Sequence, residues 1–269
     1  MREPLPKTKR VCLFCKKGKL SDEHILSQWT HKLLPASQAS KWTEFAIQVE
    51  GGIPLSQTPL EHKNTRTKKT RSRVGSIRNF KPLTVCRPCN HGWMKSDIEE
   101  RVRPILTKII TGERTEVSAD DQTLLAQWFT LKMIVLDGSN RTLRAFNQFE
   151  RTAFMESRSI PEGLEVWLLW CGFPPWTESF LQITLGSQNE NEPRKLKSTT
   201  IGIGHALFHG VLLRDQNFSF SLNSIPIRLH PTPDPVRRWP TFQRLSAVGA
   251  TALAENLDRI TGADIEKSR

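Results

Sequence analysis

Two cysteine pairs of identical spacing, Cys12-x2-Cys15 and Cys86-x2-Cys89, restrict the possible folds of this chain more than any other feature. Zinc in structural sites prefers four ligands in a tetrahedron, and a CxxC turn places two thiolates about 2.3 Å from one ion. We therefore predict a structural zinc site made of all four sulfurs, which would join the two ends of a long intervening segment. Two unrelated pairs, or a redox-active dithiol, are the alternatives.

The same cysteines indicate the cellular compartment. Four of the five cysteines fall in CxxC pairs, which is more typical of zinc in a reducing cytosol than of disulfides. Residues 1–10 are polar and basic without the apolar core of a secretory signal. The sequence also has no run of 18 apolar residues that could span a membrane. We therefore expect a cytoplasmic protein with no membrane partner.

The positive charge of the chain is concentrated in its first half. Residues 1–114 contain 23 Lys and Arg against 10 Asp and Glu, whereas residues 115–269 contain 16 against 17. A basic region attracts polyanions, of which nucleic acid is the commonest. This asymmetry predicts a nucleic-acid partner for the first half, and the alternative is a basic surface that only keeps the protein soluble.

The segment 61–81 is the most basic part of that half. A block of like charges with few apolar residues repels itself, so we predict a mobile loop that becomes ordered on phosphate. A disordered loop that only improves solubility is the alternative. The predicted nucleic-acid-binding residues are Lys63, Arg66, Lys68, Lys69, Arg71, Arg73, Arg78 and Lys81.

The chain reads as an α+β protein with a boundary between residues 114 and 115. Apolar residues at helical spacing predict a helix over residues 90–110, which Pro104 should kink or a capping box at Ser96 should restart. Beyond the boundary, a Ser118-x-x-Asp121 capping box opens a helix. Strands follow after Pro161, so we expect a mixed domain of helices and antiparallel strands with its own core.

Three side chains near the cysteines could act together on phosphate. Glu23-His24 lies inside the segment bracketed by the two CxxC pairs, and Asn90 follows Cys89 directly, so a zinc ion would fix its position. A histidine can activate water when a second group orients it, and carboxylate and carboxamide oxygens suit Mg²⁺ or Mn²⁺.

With its cysteines, this pattern resembles the HNH nuclease family in the form that carries a four-cysteine zinc. The resemblance covers about residues 10–100 and implies a ββα-metal fold with a zinc ribbon-like site. It implies His24 as the general base, with Glu23 and Asn90 holding one catalytic Mg²⁺ or Mn²⁺. The family's usual middle asparagine is replaced by Lys81, so Asn79 is the candidate for orienting the histidine loop.

The resemblance implies a metal-dependent endonuclease that hydrolyses DNA, by analogy in antiviral defence or mobile-element processing. An RNA nuclease and a catalytically inactive zinc-containing DNA-binding or regulatory protein are the alternatives. Residues 115–269 would select the substrate, form a homodimer or bind an accessory protein.

Overall fold

The computed structural model describes most of the chain between residues 11 and 255. The described residues are 11–21, 24–34, 41–49, 65–74, 80–139, 144–172, 176, 178–186, 196–214, 226–231, 233, 235–241 and 243–255. The helices are α1 Arg87–Cys89, α2 Glu100–Thr111, α3 Ala119–Asp137, α4 Gln148–Ser157 and α5 Ala247–Glu255, with a 3₁₀ turn at Gln28–Lys32 and a π-helical segment at Asn90–Glu99. The strands are β1 Lys41–Val49, β2 Thr65–Val74, β3 Thr115–Ser118, β4 Leu164–Trp170, β5 Glu178–Gly186, β6 Leu196–Ile203, β7 Ala206–Leu213, β8 Ile227–His230 and β9 Val236–Trp239.

The main sheet has seven strands in the order β2-β1-β5-β6-β7-β4-β8. Its pairs are antiparallel except for β1 and β5, which run parallel. Strands β3 and β9 form a separate antiparallel pair. The predicted mixed α+β class is therefore confirmed, and none of the helices in the described part of the chain is long and apolar enough to cross a membrane.

In the part of the main sheet formed by β4 to β8, buried apolar side chains lie on both faces. Along β4, Val166 and Leu168 belong to one buried cluster, and Trp167 and Leu169 belong to the other, as the alternation of a strand requires. The first cluster also contains Leu13, Leu26 and Ile98 from the cysteine-bearing half. One buried cluster therefore draws on residues from both sides of the predicted boundary between residues 114 and 115.

The basic segment 61–81 contains a strand, so the prediction of a loop is wrong for residues 65–74. Strand β2 lies at the edge of the main sheet, and its backbone pairs with β1, which offsets the repulsion between its cations. A bulge opposite Glu44–Ala46 shifts the register, so that Arg66, Lys68, Arg71 and Arg73 all pair with alternate residues of β1. The bulge therefore puts four cationic positions in phase along the edge strand.

Helical turns follow Cys89 as predicted, but neither Pro104 nor Ser96 divides them into separate helices. Pro104 lies inside α2 without ending it, and Ser96 does not cap a new helix, since its hydroxyl donates to the carbonyl of Gly92 at 3.2 Å. The residues before Glu100 are instead wound as a π-helix, with Gly92 outside helical geometry. Such wide turns often occur at functional sites. The capping box of Ser118 and Asp121 at the start of α3 is confirmed.

Candidate functional site: a four-cysteine cluster beside a His24 cavity

The four paired cysteines converge as the sequence predicts. The sulfur atoms lie within 4.8 Å of one another, with 3.8 Å between Cys12 Sγ and Cys89 Sγ and 3.6 Å between Cys15 Sγ and Cys86 Sγ. A tetrahedron with metal–sulfur bonds of about 2.3 Å has edges of about 3.8 Å. The thiols are not joined as disulfides. The cluster therefore has the donor atoms and spacing for one zinc ion.

Backbone hydrogen bonds shape both cysteine turns. In the first turn, Lys16 N donates to Cys12 O at 3.1 Å. Gly18 adopts a positive φ of 77°, and a Cβ there would lie 3.1 Å from Cys86 Cβ, so glycine allows the two turns to approach. In the second turn, Asn90 N donates to Cys86 O at 3.0 Å. Asn90 is therefore fixed by the turn that carries two of the sulfurs.

The pKa values of the cysteine thiols shift in both directions. Burial first, and the nearby Cys12 second, raise the pKa of the Cys89 thiol, and burial likewise raises the pKa of Cys86. Burial would also raise the pKa of Cys15, but hydrogen bonds with the Lys17 backbone and the other cysteines lower it overall. Zinc binding would displace the protons of these thiols, because the thiolate is the ligand.

The chain around His24 is tied to the segment that enters the second CxxC pair. Leu13 N donates to Thr84 O at 2.8 Å, Ser21 N to Val85 O at 2.9 Å, and Ile25 N to Phe80 O at 3.1 Å. These bonds hold residues 80–86 against two stretches near the first CxxC pair. In residues 11–21, 24–34 and 80–86 the pairing amounts to a single bridge, between Leu20 and Cys86, and does not build a regular strand pair.

His24 and Asn90 line the same small cavity, although 65 residues separate them in the sequence. The volume of the cavity is about 10 Å³, which is room for about one water molecule. Its polar wall also includes Glu99 and Lys132. The remaining lining residues are Ile25, Pro82, Leu83, Thr84, Val85, Met94 and Val135. The imidazole of His24, the carboxamide of Asn90 and the Glu99–Lys132 ion pair therefore all line the same cavity.

The ion pair in this wall joins the two halves of the chain. Lys132 Nζ lies 2.6 Å from Glu99 Oε1, and the lysine side chain is only 3% exposed. Burial alone would raise the pKa of Glu99, but the charge and hydrogen bond of Lys132 lower it overall. The carboxylate therefore stays ionised at neutral pH. Sequence reasoning missed Lys132; its one signal was a lone cation in the apolar stretch of α3.

The other predicted site residues have different outcomes. Glu23, Asn79, Lys63 and Arg78 lie outside the described residues, so their predicted roles stay predictions. Lys81 is exposed, and the remaining predicted cations belong to β2. The ring of His31, not predicted as part of the site, lies 5.7 Å from that of His24, centroid to centroid. His209, which was not predicted as part of the site, is buried and hydrogen bonded to Thr200 Oγ1 at 2.8 Å.

The chain was compared with protein-family models, with curated proteins and with solved structures, and none of the three comparisons gives a match. The HNH resemblance therefore depends on the residues themselves. Any functional interpretation must start from two features of the site. These are the four convergent sulfurs and the cavity lined by imidazole, carboxamide, carboxylate and ammonium groups.

Proposed function

We propose that this protein is a metal-dependent endonuclease of the HNH type that hydrolyses phosphodiester bonds in DNA. The observation that carries the proposal is the meeting of His24 and Asn90 at one cavity, next to the four-cysteine cluster. The cysteine cluster has a structural role, because four thiolates complete the shell of zinc and leave no position for substrate.

His24 acts as the general base that takes a proton from the attacking water. Glu23 and Asn90 would hold a divalent ion, which neutralises charge on the scissile phosphate and on the leaving 3′ oxygen. The hydrogen bond from Asn90 N to Cys86 O supports this role, because it couples the carboxamide to the zinc turn. Lys132 adds a fixed positive charge to the wall of the cavity and is itself held by Glu99.

Strand β2 contributes affinity for the substrate backbone. Its four in-phase cationic positions form a row on β2, which is the last strand of the sheet among the described residues, and a row of this kind suits the regularly spaced phosphates of a nucleic acid. Contacts of this type hold and orient the substrate but carry no sequence information.

His24→Ala should lower the rate of metal-dependent DNA cutting by about 10²–10⁴-fold, the usual contribution of a general base. The measurement is conversion of supercoiled plasmid to nicked and linear forms with added Mg²⁺ or Mn²⁺. His91→Ala is the matched control, since this exposed histidine adjoins Asn90 and has no assigned role. Equal cutting by His24→Ala and the parent protein would reject the proposal.

The substrate class is tested by running the same comparison on structured RNA. Cutting of RNA alone, lost in His24→Ala, would replace DNA by RNA as the substrate. Binding of DNA by a zinc-loaded parent protein that cuts neither polymer would instead show a protein that binds without catalysis.

Replacing Arg66, Lys68, Arg71 and Arg73 together by Gln should flatten the salt dependence of duplex DNA binding. The slope of log affinity against log salt should fall by about 0.9 for each lost phosphate contact. Fluorescence anisotropy at several salt concentrations gives this slope. Arg101→Gln, at an exposed cation on α2, controls for a general loss of charge. An unchanged slope in the fourfold variant would show that β2 does not touch the DNA backbone.

A further inference from the structure

A second, wider cleft lies between the β3–β9 pair and the ends of β4 and β8. Its volume is about 970 Å³, and it shares no lining residue with the cavity around His24. Nearly all of its wall comes from residues 114–116, 226–227, 236–241 and 243, with Trp170 at the end of β4. This cleft is therefore a separate site, built mainly by the second half of the chain.

The cleft is cationic although the second half of the chain has no excess of positive charge. Arg114, Arg237 and Arg238 line it, against one carboxylate from Glu116. Arg237 and Arg238 are both exposed on β9, and the strand register places Arg238 opposite Glu116. Arg237 and Arg238 therefore present exposed guanidinium groups to the cleft, and such groups suit an anionic ligand.

Aromatic and apolar groups form the rest of the wall. Trp170 is half-buried, and the guanidinium of Arg244 lies 5.5 Å from the centre of its ring. Arg244 is itself held by hydrogen bonds to Cys171 O at 2.7 Å and Gly172 O at 3.2 Å. Arginine over an indole ring is a stable pairing that keeps the tryptophan in place. Trp239, Pro226, Ile227 and Pro240 complete this side.

We propose that this cleft binds a single strand of nucleic acid. Arginines along a groove contact the phosphates, and aromatic side chains stack on the bases, which is how proteins hold single strands without sequence preference. A duplex offers no free base faces to Trp170, and an acidic peptide would use the arginines but not the indole. The cleft thus gives the second half a nucleic-acid contact of its own.

This inference deepens the proposed nuclease function, but its test does not depend on cutting. The binding of a fluorescently labelled single-stranded DNA of about 20 nucleotides to the full chain is measured by anisotropy, with no added divalent ion. The charge-reversed variant Arg237→Glu/Arg238→Glu should weaken binding at least about tenfold, and its salt slope should fall by about 0.7 per lost contact. The control is Arg101→Glu/Arg103→Glu, which reverses two exposed arginines of α2.

Trp170→Leu separates stacking from charge. It should weaken single-stranded DNA binding about tenfold, while the binding of inorganic polyphosphate, which has no bases, should stay unchanged. Thermal melting of each variant confirms that the fold is retained; if the charge-reversed variant melts early, it is replaced by Arg238→Gln, which changes one exposed side chain.

Three results would overturn the proposal. The first is equal binding of single-stranded DNA by the charge-reversed variant, its control and the parent. The second is an equal effect of Trp170→Leu on polyphosphate and DNA. The third is tighter binding of polyglutamate than of DNA, lost in the charge-reversed variant, which would assign the cleft to an acidic protein. If any of these results is found while the parent protein still cuts plasmid, only the proposed role of the cleft is rejected. If the cleft binds single-stranded DNA but the protein cuts no DNA, the proposed nuclease activity is rejected and the proposed role of the cleft is kept.

Discussion

Replacing Cys89 by serine should abolish zinc binding at the four-cysteine cluster and strongly destabilise the fold. Structural zinc contributes about 10–16 kcal/mol in small zinc-binding peptides, whereas a whole domain is stable by only about 5–15 kcal/mol. Cys89 is buried and begins the helix that carries Asn90, so the loss reaches the His24 cavity directly. We expect zinc content to fall from about one equivalent to near zero, with loss of the cooperative thermal transition.

Cys171→Ser is the matched control for this prediction. Cys171 is also a buried cysteine that forms no disulfide, but it lies outside the four-sulfur cluster, so its variant should keep the zinc content of the parent protein. Zinc is measured by inductively coupled plasma mass spectrometry on protein purified without added metal. A parent protein free of transition metal, or full zinc retention in Cys89→Ser, would contradict the site.

Asp137→Ala should destabilise the protein by about 3–5 kcal/mol, the usual cost of leaving one member of a buried ion pair alone. Asp137 Oδ1 lies 3.3 Å from Lys197 Nζ, and both side chains are 1% exposed. The carboxylate also accepts hydrogen bonds from Ala145 N at 3.0 Å and Phe146 N at 3.2 Å. The variant therefore leaves the buried ammonium group of Lys197 and two backbone N–H donors without the carboxylate that they contact.

The double variant Asp137→Ala/Lys197→Met tests the cause. Removing the lysine charge as well should recover part of the lost stability, because no uncompensated ion then remains at this position in the core. Urea denaturation at constant protein concentration gives the free energies of unfolding for the cycle. Additive losses in the double variant would show that the two residues do not interact energetically.

The same ion pair explains why the sequence did not reveal the start of β6. Residues 186–198 are almost entirely polar in sequence, yet Leu196–Ile203 is a strand whose residues are all buried. Its polar side chains have partners that no local pattern predicts: Lys197 contacts Asp137 and also donates to Thr184 Oγ1 at 2.9 Å. This strand can be buried because residues distant in sequence balance the charge of Lys197 and accept its hydrogen bond.

Local signals were more informative at the cysteine cluster. The spacing of each CxxC pair predicts a metal-binding turn by itself, and the capping box at Ser118 predicts the start of α3. The prediction of a loop for residues 65–74 was wrong because it considered only the repulsion between the cations. Backbone pairing with β1 stabilises the segment as a strand despite that repulsion. Lys132 could not be assigned to the cavity from sequence, because a helix from the other half brings it there.

The parallel ladder between β1 and β5 has a practical consequence for protein engineering. Strand β1 comes from the stretch between the two CxxC pairs, but it completes the hydrogen bonds of β5 from Thr43–Leu181 to Gln48–Gly186. A fragment that ends near Arg114 would lose that partner, and the remaining fragment would expose a long strand edge prone to aggregation. Residues 1–114 should therefore not be moved into another protein as a separate unit, and fusion partners should be attached at the termini of the chain.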